Sequence, residues 1–399
     1  MRSYLDHAAT TALRPEVLDA MLPHLRAGYN PSSLHLEGRE TRAALDGARA
    51  TVARILGVRP REVVFTSGGS EADGLAITGT ARAYRGPHRR VVTVATEHYA
   101  VLHACEALEV EGWQVVVLPV DQNGRLDPQT FAEALQPGAA LASVMLVNNE
   151  LGTIAPVATL ASIARDRGVR FHTDAVQAAG RLAVDAGALG ADLVSFTAHK
   201  MYGPKGAGVL VVRDGVELAP QMLGGGQEAG RRAGTQNVAS IAGFARALEL
   251  AEVERALEVP RLAALRELME RGLLARVPDC RINGAAAARA AHISNVTFAG
   301  VDTAELLVRL DLSGIAASAG SACSAGAVEA SHVMRALYGA GAHEGGTVRL
   351  SLGMRSTETD VERVLSVVPE AVASLRGATS NVGTGFPARS NTSRSEVFS

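Results

Sequence analysis

Between residues 61 and 212 the chain alternates short, apolar, β-branched runs with longer stretches whose apolar positions recur every three or four residues. The runs are "EVVFTSGG", "RVVTVATEH", "WQVVVLPV", "ASVMLVNNE", "VRFHTDAVQ", "LVSFTAH" and "GVLVV". Runs of this length, separated by Ala/Leu/Arg-rich segments such as 99–110 and 158–168, predict βα units around a mainly parallel sheet. Five of them end in polar residues: "TSGGSE", "TEH", "NNE", "TDAVQ" and "TAHK". Open α/β sheets bind ligands beyond the carboxyl ends of their strands, so these five ends predict one shared polar site.

Residues 245–278 carry helical spacing, with an interruption expected at Pro260, and read as a bridge to a second region. Beyond it, "HISNVTFAG" and "VRLSLG" predict strands, and 302–311 and 358–375 predict helices, a smaller α+β arrangement. The closing stretch is Ser, Thr, Gly and Asn with few apolar residues, a composition that predicts disorder. The expected organisation is therefore a large domain over 15–255, a small domain built from 1–14 and 256–375, and a disordered tail over 376–399.

Composition agrees with this picture. Apolar residues make up 47% of the 399 positions and aromatics only 4%, alongside 41 glycines, so Ala, Val, Leu and Ile must build the core, as in an α/β protein. The net charge of −2 and the lack of any like-charge run argue against nucleic acid or an anionic membrane as partner. No stretch approaches the roughly 18 consecutive apolar residues of a membrane span, and the start has no apolar signal core. A cytoplasmic protein with small-molecule or protein partners is expected. The three cysteines, Cys105, Cys280 and Cys323, have long spacings and no CxxC, which suggests neither a disulfide framework nor a zinc site.

Among 39 basic residues only two, Lys200 and Lys205 in "AHKMYGPKG", are lysines. Arginine is always protonated, whereas a desolvated lysine can lose its proton and condense with a carbonyl, so Lys200 at a strand end is a candidate nucleophile. Asp174, at the preceding strand end, is a costly place for an acid unless it is paired. An acid and a lysine so placed could hold opposite ends of one pyridine aldehyde. Gly68, Gly69 and Ser70 open a helix after a strand and suit a phosphate; the GK[ST] ending of a Walker loop is missing. No G-x-G-x-x-G opens the first βα unit, which disfavours a dinucleotide enzyme. His98 could stack on a cofactor ring and move protons. Cys323, among Ser, Ala and Gly, has the surroundings of a reactive thiol; Cys105 and Cys280 have those of inert ones. Arg349, on a predicted strand, suits a carboxylate.

Taken together, "YLDHAATT", "NPSSLHLEG", "FTSGGSEADGLA", "TEHYAVL", "VNNELGTI", "HTDAVQAAG", "SFTAHKMYGPKG", "GGGQEAGRRAGT", "GSACSAG" and "VRLSLG" resemble the cysteine desulfurases of the NifS/IscS-like group, class V pyridoxal-phosphate aminotransferases of fold type I. That resemblance implies a pyridoxal-phosphate enzyme converting L-cysteine to L-alanine, with sulfur passed to Cys323 as a persulfide. Lys200 would join the cofactor aldehyde, Asp174 would pair with the ring nitrogen, and His98 would stack on the ring and serve as acid/base. Asn148 and Gln177 would lie near the phenolic oxygen. Gly69, Ser70, Thr197 and His199 would hold the phosphate, and Thr235 would reach the phosphate of the neighbouring subunit, which implies a homodimer. Asn30 and Arg349 would bind the substrate carboxylate. The implied partner is a sulfur-acceptor protein such as an iron–sulfur scaffold, with no metal of the chain's own beyond a cluster that Cys323 could ligate transiently, and the implied purpose is iron–sulfur cluster or thio-cofactor and tRNA biosynthesis. The chain departs from the family pattern at Ala233 within "RRAGT" and at His7 and Gly74. A selenocysteine lyase or class V aminotransferase is the nearest alternative, and a non-enzymatic scaffold on the same fold a more distant one.

Overall fold

The computed structural model describes residues 2–320, 330–343 and 345–382. All seven apolar runs contribute a strand to one sheet: β1 (Val63–Thr66), β2 (Arg90–Val94), β3 (Gln114–Leu118), β4 (Leu141–Ser143), β5 (Arg170–Asp174), β6 (Leu193–Thr197) and β7 (Gly208–Val212). Their order is β1-β7-β6-β5-β4-β2-β3. The pairs β2/β3, β2/β4, β4/β5 and β5/β6 are parallel, whereas β7 runs antiparallel to both β6 and β1.

The runs are apolar without alternation because both faces of the sheet are covered. Phe65 and Phe196 point into one core with Phe131, Phe171 and Phe244. Val64 and Leu193 point the other way, toward Leu75, Ile77 and Leu108. The helices Tyr99–Val110 and Val157–Asp166 fall close to where the periodicity puts them.

A second apolar core gathers Leu262, Met269, Phe298, Leu306, Leu350 and Val364. It is built on β8 (Cys280–Ile282), β9 (Ile293–Ala299) and β10 (Gly345–Ser351), an antiparallel sheet of order β10-β9-β8, with the helices Thr303–Leu312 and Glu358–Val382. The N-terminal Ser3–Tyr4 pairs in parallel with Ile315–Ala316, and Leu5 is buried in this second core.

Two boundaries differ from expectation. Val238–Arg276 is one continuous helix with Pro260 inside it, reaching from Phe244 in the first core to Met269 in the second. Proline there deprives the Ala256 carbonyl of its donor, but both residues lie on the exposed side, where water can replace the lost bond. The last helix continues past 375 to Val382, because Arg376 ties its end to the carbonyls of Ala299 and Pro278. Residues 383–399 of the expected tail lie outside the described residues.

Candidate active site

The carboxyl ends of β1, β2, β4, β5 and β6 converge on a cavity of about 350 Å³ lined by, among others, Gly69, Ser70, His98, Asp174, Lys200 and Arg349. The five polar strand ends predicted to meet do so because parallel strands deliver their carboxyl ends to one edge of the sheet.

Lys200 follows β6 in a short 3-10 turn, and its Nζ donates to the carbonyls of Ala8 (2.6 Å) and Ala9 (2.7 Å). Burial and the nearby Arg349 guanidinium lower its pKa to about 8, against the smaller opposing pull of Asp174 and Asp6. An ordinary lysine is almost wholly cationic at neutral pH; at a pKa near 8 roughly a tenth is already the neutral amine at pH 7.

Asp174 ends β5. Its carboxylate accepts from the Val176 N–H at 2.8 Å, burial raises its pKa, and His98 and Lys200 pull it back down. His172, two residues earlier and therefore on the same face of the strand, lies beneath it. Its Nδ1 is 2.8 Å from Ser143 Oγ and its Nε2 is 2.9 Å from Ser195 Oγ. Burial lowers the His172 pKa to about 3, so the ring is a neutral polar strut. Asp73 and Glu97 are buried nearby, and desolvation together with the Asp174 charge pushes both carboxyls up toward the neutral form. Asp174 is thus the carboxylate of the three that the cations of the site favour in its ionised state.

His98 is the N-cap of the helix Tyr99–Val110, its Nδ1 accepting from the Ala100 N–H at 3.1 Å. That bond fixes the neutral tautomer with the proton on Nε2. Burial, with help from Lys200, His332 and His103, lowers its pKa; Asp174 opposes. Gly68 precedes the helix that opens at Gly69, and Gly69 and Ser70 line the cavity with Thr197 and His199 along the same wall; the N–H groups of a helix's first turn have no partner within the helix. His199 Nδ1 lies 3.1 Å from Thr10 Oγ1, and burial with the two lysines lowers its pKa to about 4.

Arg349 reaches the cavity from β10. One Nη donates to Asp6 at 2.8 Å and the other to the Asn149 carbonyl at 2.8 Å, while the buried Nε has no partner among the described residues. Gln177 also lines the cavity, donating to the Ala8 carbonyl and lying 3.3 Å from His292 Nε2.

Three expected residues lie elsewhere. Asn148 does not line this cavity: its amide donates to the Thr96 carbonyl and its oxygen accepts from the Glu150 and Leu151 N–H groups, so it shapes the turn that presents Asn149 instead. Asn30 sits on an exposed loop, accepting from the Ser32 N–H. Thr235 is exposed and away from its own chain's cavity. Cys323 lies outside the described residues. The other cysteines behave as read: burial pushes the Cys105 thiol up to about 12 and also raises that of Cys280. Asp6, Asn149 and Asp73 line the cavity without having been singled out. Asp6 and Asn149 stand inside the quoted motifs "YLDHAATT" and "VNNELGTI", but nothing in one sequence tells which of adjacent polar residues faces a cavity.

The class V aminotransferase family matches residues 3–364, nearly the whole chain. The chain belongs to the cysteine desulfurases of this family. A cysteine desulfurase IscS of Dictyoglomus turgidum is 43% identical over 374 residues, spanning 94% of this chain and 95% of that protein. Among solved structures, a NifS-like protein superposes with a TM-score of 0.88 at 33% identity, covering 94% of this chain and all of the other. SspA in complex with cysteine superposes with a TM-score of 0.76 at 34% identity, covering 88% of this chain and 98% of the other. The enzyme class and fold expected from the motifs are those of its relatives. Among the described residues no helix is long and apolar enough to cross a membrane, and no group of His, Cys, Asp and Glu is arranged to hold a metal ion.

Proposed function

We propose that this chain, as a cytoplasmic homodimer holding pyridoxal 5'-phosphate, converts L-cysteine to L-alanine and takes the sulfur onto Cys323 as a persulfide for delivery to an acceptor protein such as an iron–sulfur scaffold. The observation that carries the reading is the Lys200 amine and the Asp174 carboxylate sharing one cavity with a helix start at Gly69 that suits an anion and with Arg349, whose Nε has no partner among the described residues. The donor set fits the cofactor: an amine of lowered pKa for its aldehyde, a buried acid for its ring nitrogen, and N–H groups with Ser70, Thr197 and His199 for its phosphate. When bound, the cofactor supplies an electron-withdrawing ring that acidifies the Cα proton of an attached amino acid.

The remaining chemistry falls to the protein. Lys200 would be the residue that meets the cofactor aldehyde, and its amine would be placed to take a proton from the substrate Cα and return it nearby, a task suited to a pKa near neutrality. Arg349 supplies charge and an unused N–H for the substrate carboxylate, and Asp6 with the Asn149 carbonyl holds the guanidinium in place. His98 carries a proton on Nε2 for exchange with the thiol sulfur. Gln177 shares the cavity, and Asn148 acts through the turn that presents Asn149. Thr235, exposed on its own chain, is available to the partner's phosphate. Attack of the Cys323 thiolate on the substrate sulfur forms the S–S bond and breaks the sulfur–Cβ bond, whose electron pair leaves with Cβ, and a proton taken up at that carbon completes the methyl group of alanine.

The test is mass spectrometry of the holoenzyme after incubation with L-cysteine. Cys323 gains one sulfur atom while alanine accumulates in step. Alanine release at the wild-type rate from Cys323→Ala would sink the assignment, and transamination or another thiol-independent reaction would then be the better reading.

A further inference from the structure

The turn 148–151 lies between two parts of the chain that are remote from it in sequence. Asn148 Oδ1 accepts from the Glu150 N–H (2.9 Å) and the Leu151 N–H (2.8 Å), and the Glu150 carbonyl accepts from Asn295 Nδ2 on β9 at 3.2 Å. The Glu150 side chain is fully buried, and its carboxylate is met from both flanks of the segment 321–329, which lies outside the described residues. On the far flank, Ser331 Oγ donates to Glu150 Oε2 at 2.7 Å while accepting from the Met334 N–H at 3.1 Å as N-cap of the helix His332–Tyr338. On the near flank Gly320, at φ +119°, packs its backbone against the same carboxylate: a Cβ there would come within 2.6 Å of Glu150 Cδ. Only glycine takes this conformation at no cost, and only glycine leaves room for the carboxyl group.

The same turn also reaches the substrate side. The Asn149 carbonyl accepts from Arg349, and Arg349 in turn exchanges backbone hydrogen bonds with Ser318, two residues before Gly320. A single buried carboxylate therefore touches the chain on both sides of 321–329, at Gly320 on the cavity wall and at Ser331 beside it in the fold, in a frame shared with Arg349.

We infer that Glu150 is a positioning residue that clamps both stems of the Cys323-bearing segment and so sets the reach of the thiol toward substrate held by Arg349. This rests on the reading of Cys323 as the sulfur acceptor. Misplacement of a reacting group by about 1 Å can cost as much as a hundredfold in rate without changing what binds.

In the holoenzyme, Glu150→Gln and Ser331→Ala each lower kcat for alanine formation by about 10- to 100-fold, leaving KM for L-cysteine and the visible spectrum of the bound cofactor unchanged. Ser331→Thr, which keeps the hydroxyl, restores the rate, and the double variant Glu150→Gln/Ser331→Ala is no slower than the worse single one, because both break the same clamp. The inference is overturned if kcat stays at the wild-type value in both single variants, or if cofactor content and KM change along with kcat. Cys323→Ala run in parallel separates the two layers: an active Cys323→Ala removes the reading beneath, whereas an inactive Cys323→Ala beside fully active stem variants removes only the clamp.

Discussion

The segment 224–236, which ends near Thr235, is held by a buried carboxylate whose loss should be costly. Glu228 accepts from Arg49 through both carboxylate oxygens (2.7 and 2.8 Å), from the Phe65 N–H at the middle of β1 (3.0 Å) and from Gln236 Nε2 (3.1 Å). Its side chain is 1% exposed and that of Arg49 16%. Glu228 and Ala229 both sit at positive φ, +49° and +56°, a conformation that costs a non-glycine residue of order 1–3 kcal/mol and persists only under external constraint. Glu228→Ala leaves the Arg49 guanidinium without its carboxylate and the Phe65 N–H without an acceptor, a change that costs about 3–5 kcal/mol when a buried pair loses one partner. Glu228→Gln preserves the shape and one acceptor oxygen and removes the charge, for about 1.5–3 kcal/mol. Chemical denaturation of the apoprotein followed by circular dichroism should rank wild type, Gln and Ala in that order, and cofactor affinity should fall in the same order on the proposal above that Thr235, carried by the same segment, reaches the partner's phosphate. A loss below about 1 kcal/mol for Glu228→Ala, the range of exposed ion pairs, would refute the reasoning.

Three further outcomes follow from the site. Lys200→Arg keeps the positive charge and abolishes both the yellow colour of the cofactor-loaded protein and turnover, because a guanidinium cannot condense with an aldehyde; for the wild type, the rate at which apoprotein captures pyridoxal phosphate rises with pH through about 8, as the amine, depressed by burial and Arg349, loses its proton, and stopped-flow absorbance checks both. Arg349→Lys retains charge but loses the planar set of donors to Asp6 and the Asn149 carbonyl, so kcat/KM for L-cysteine falls about 10- to 100-fold, the equivalent of losing a charge-assisted hydrogen bond worth about 1.5–3 kcal/mol, with cofactor content unchanged as read from the visible spectrum.

The sheet and its polar edge could be read in advance because they depend on local pattern. A strand buried on both faces needs an unbroken apolar run, and a parallel sheet sends the residue after each run to the same edge. That is why Gly69, His98, Asp174 and Lys200, spread over more than a hundred residues, could be assigned to one site. The scarcity of lysine likewise marked Lys200 without any knowledge of its neighbours. Pro260 departs from expectation for a physical reason: propensity charges proline its full helix cost, whereas a helix packed into two cores tolerates the lost bond on its wet side.

What pattern could not reach were relations between groups that no spacing connects. Asp6 meets Arg349 across 343 residues, and the lowered pKa values of Lys200 and His98 arise from burial and charge that exist only once the chain is folded. Within "VNNELGTI" three polar residues stand side by side, yet the turn sends Asn148 into its own backbone, Asn149 to the cavity, and the Glu150 carboxylate to Gly320 and Ser331. Residue type and period settle which elements form and which side chains have the chemistry to act. Direction, desolvation and pairing at a distance depend on how those elements pack, because each is a property of what surrounds a group in space.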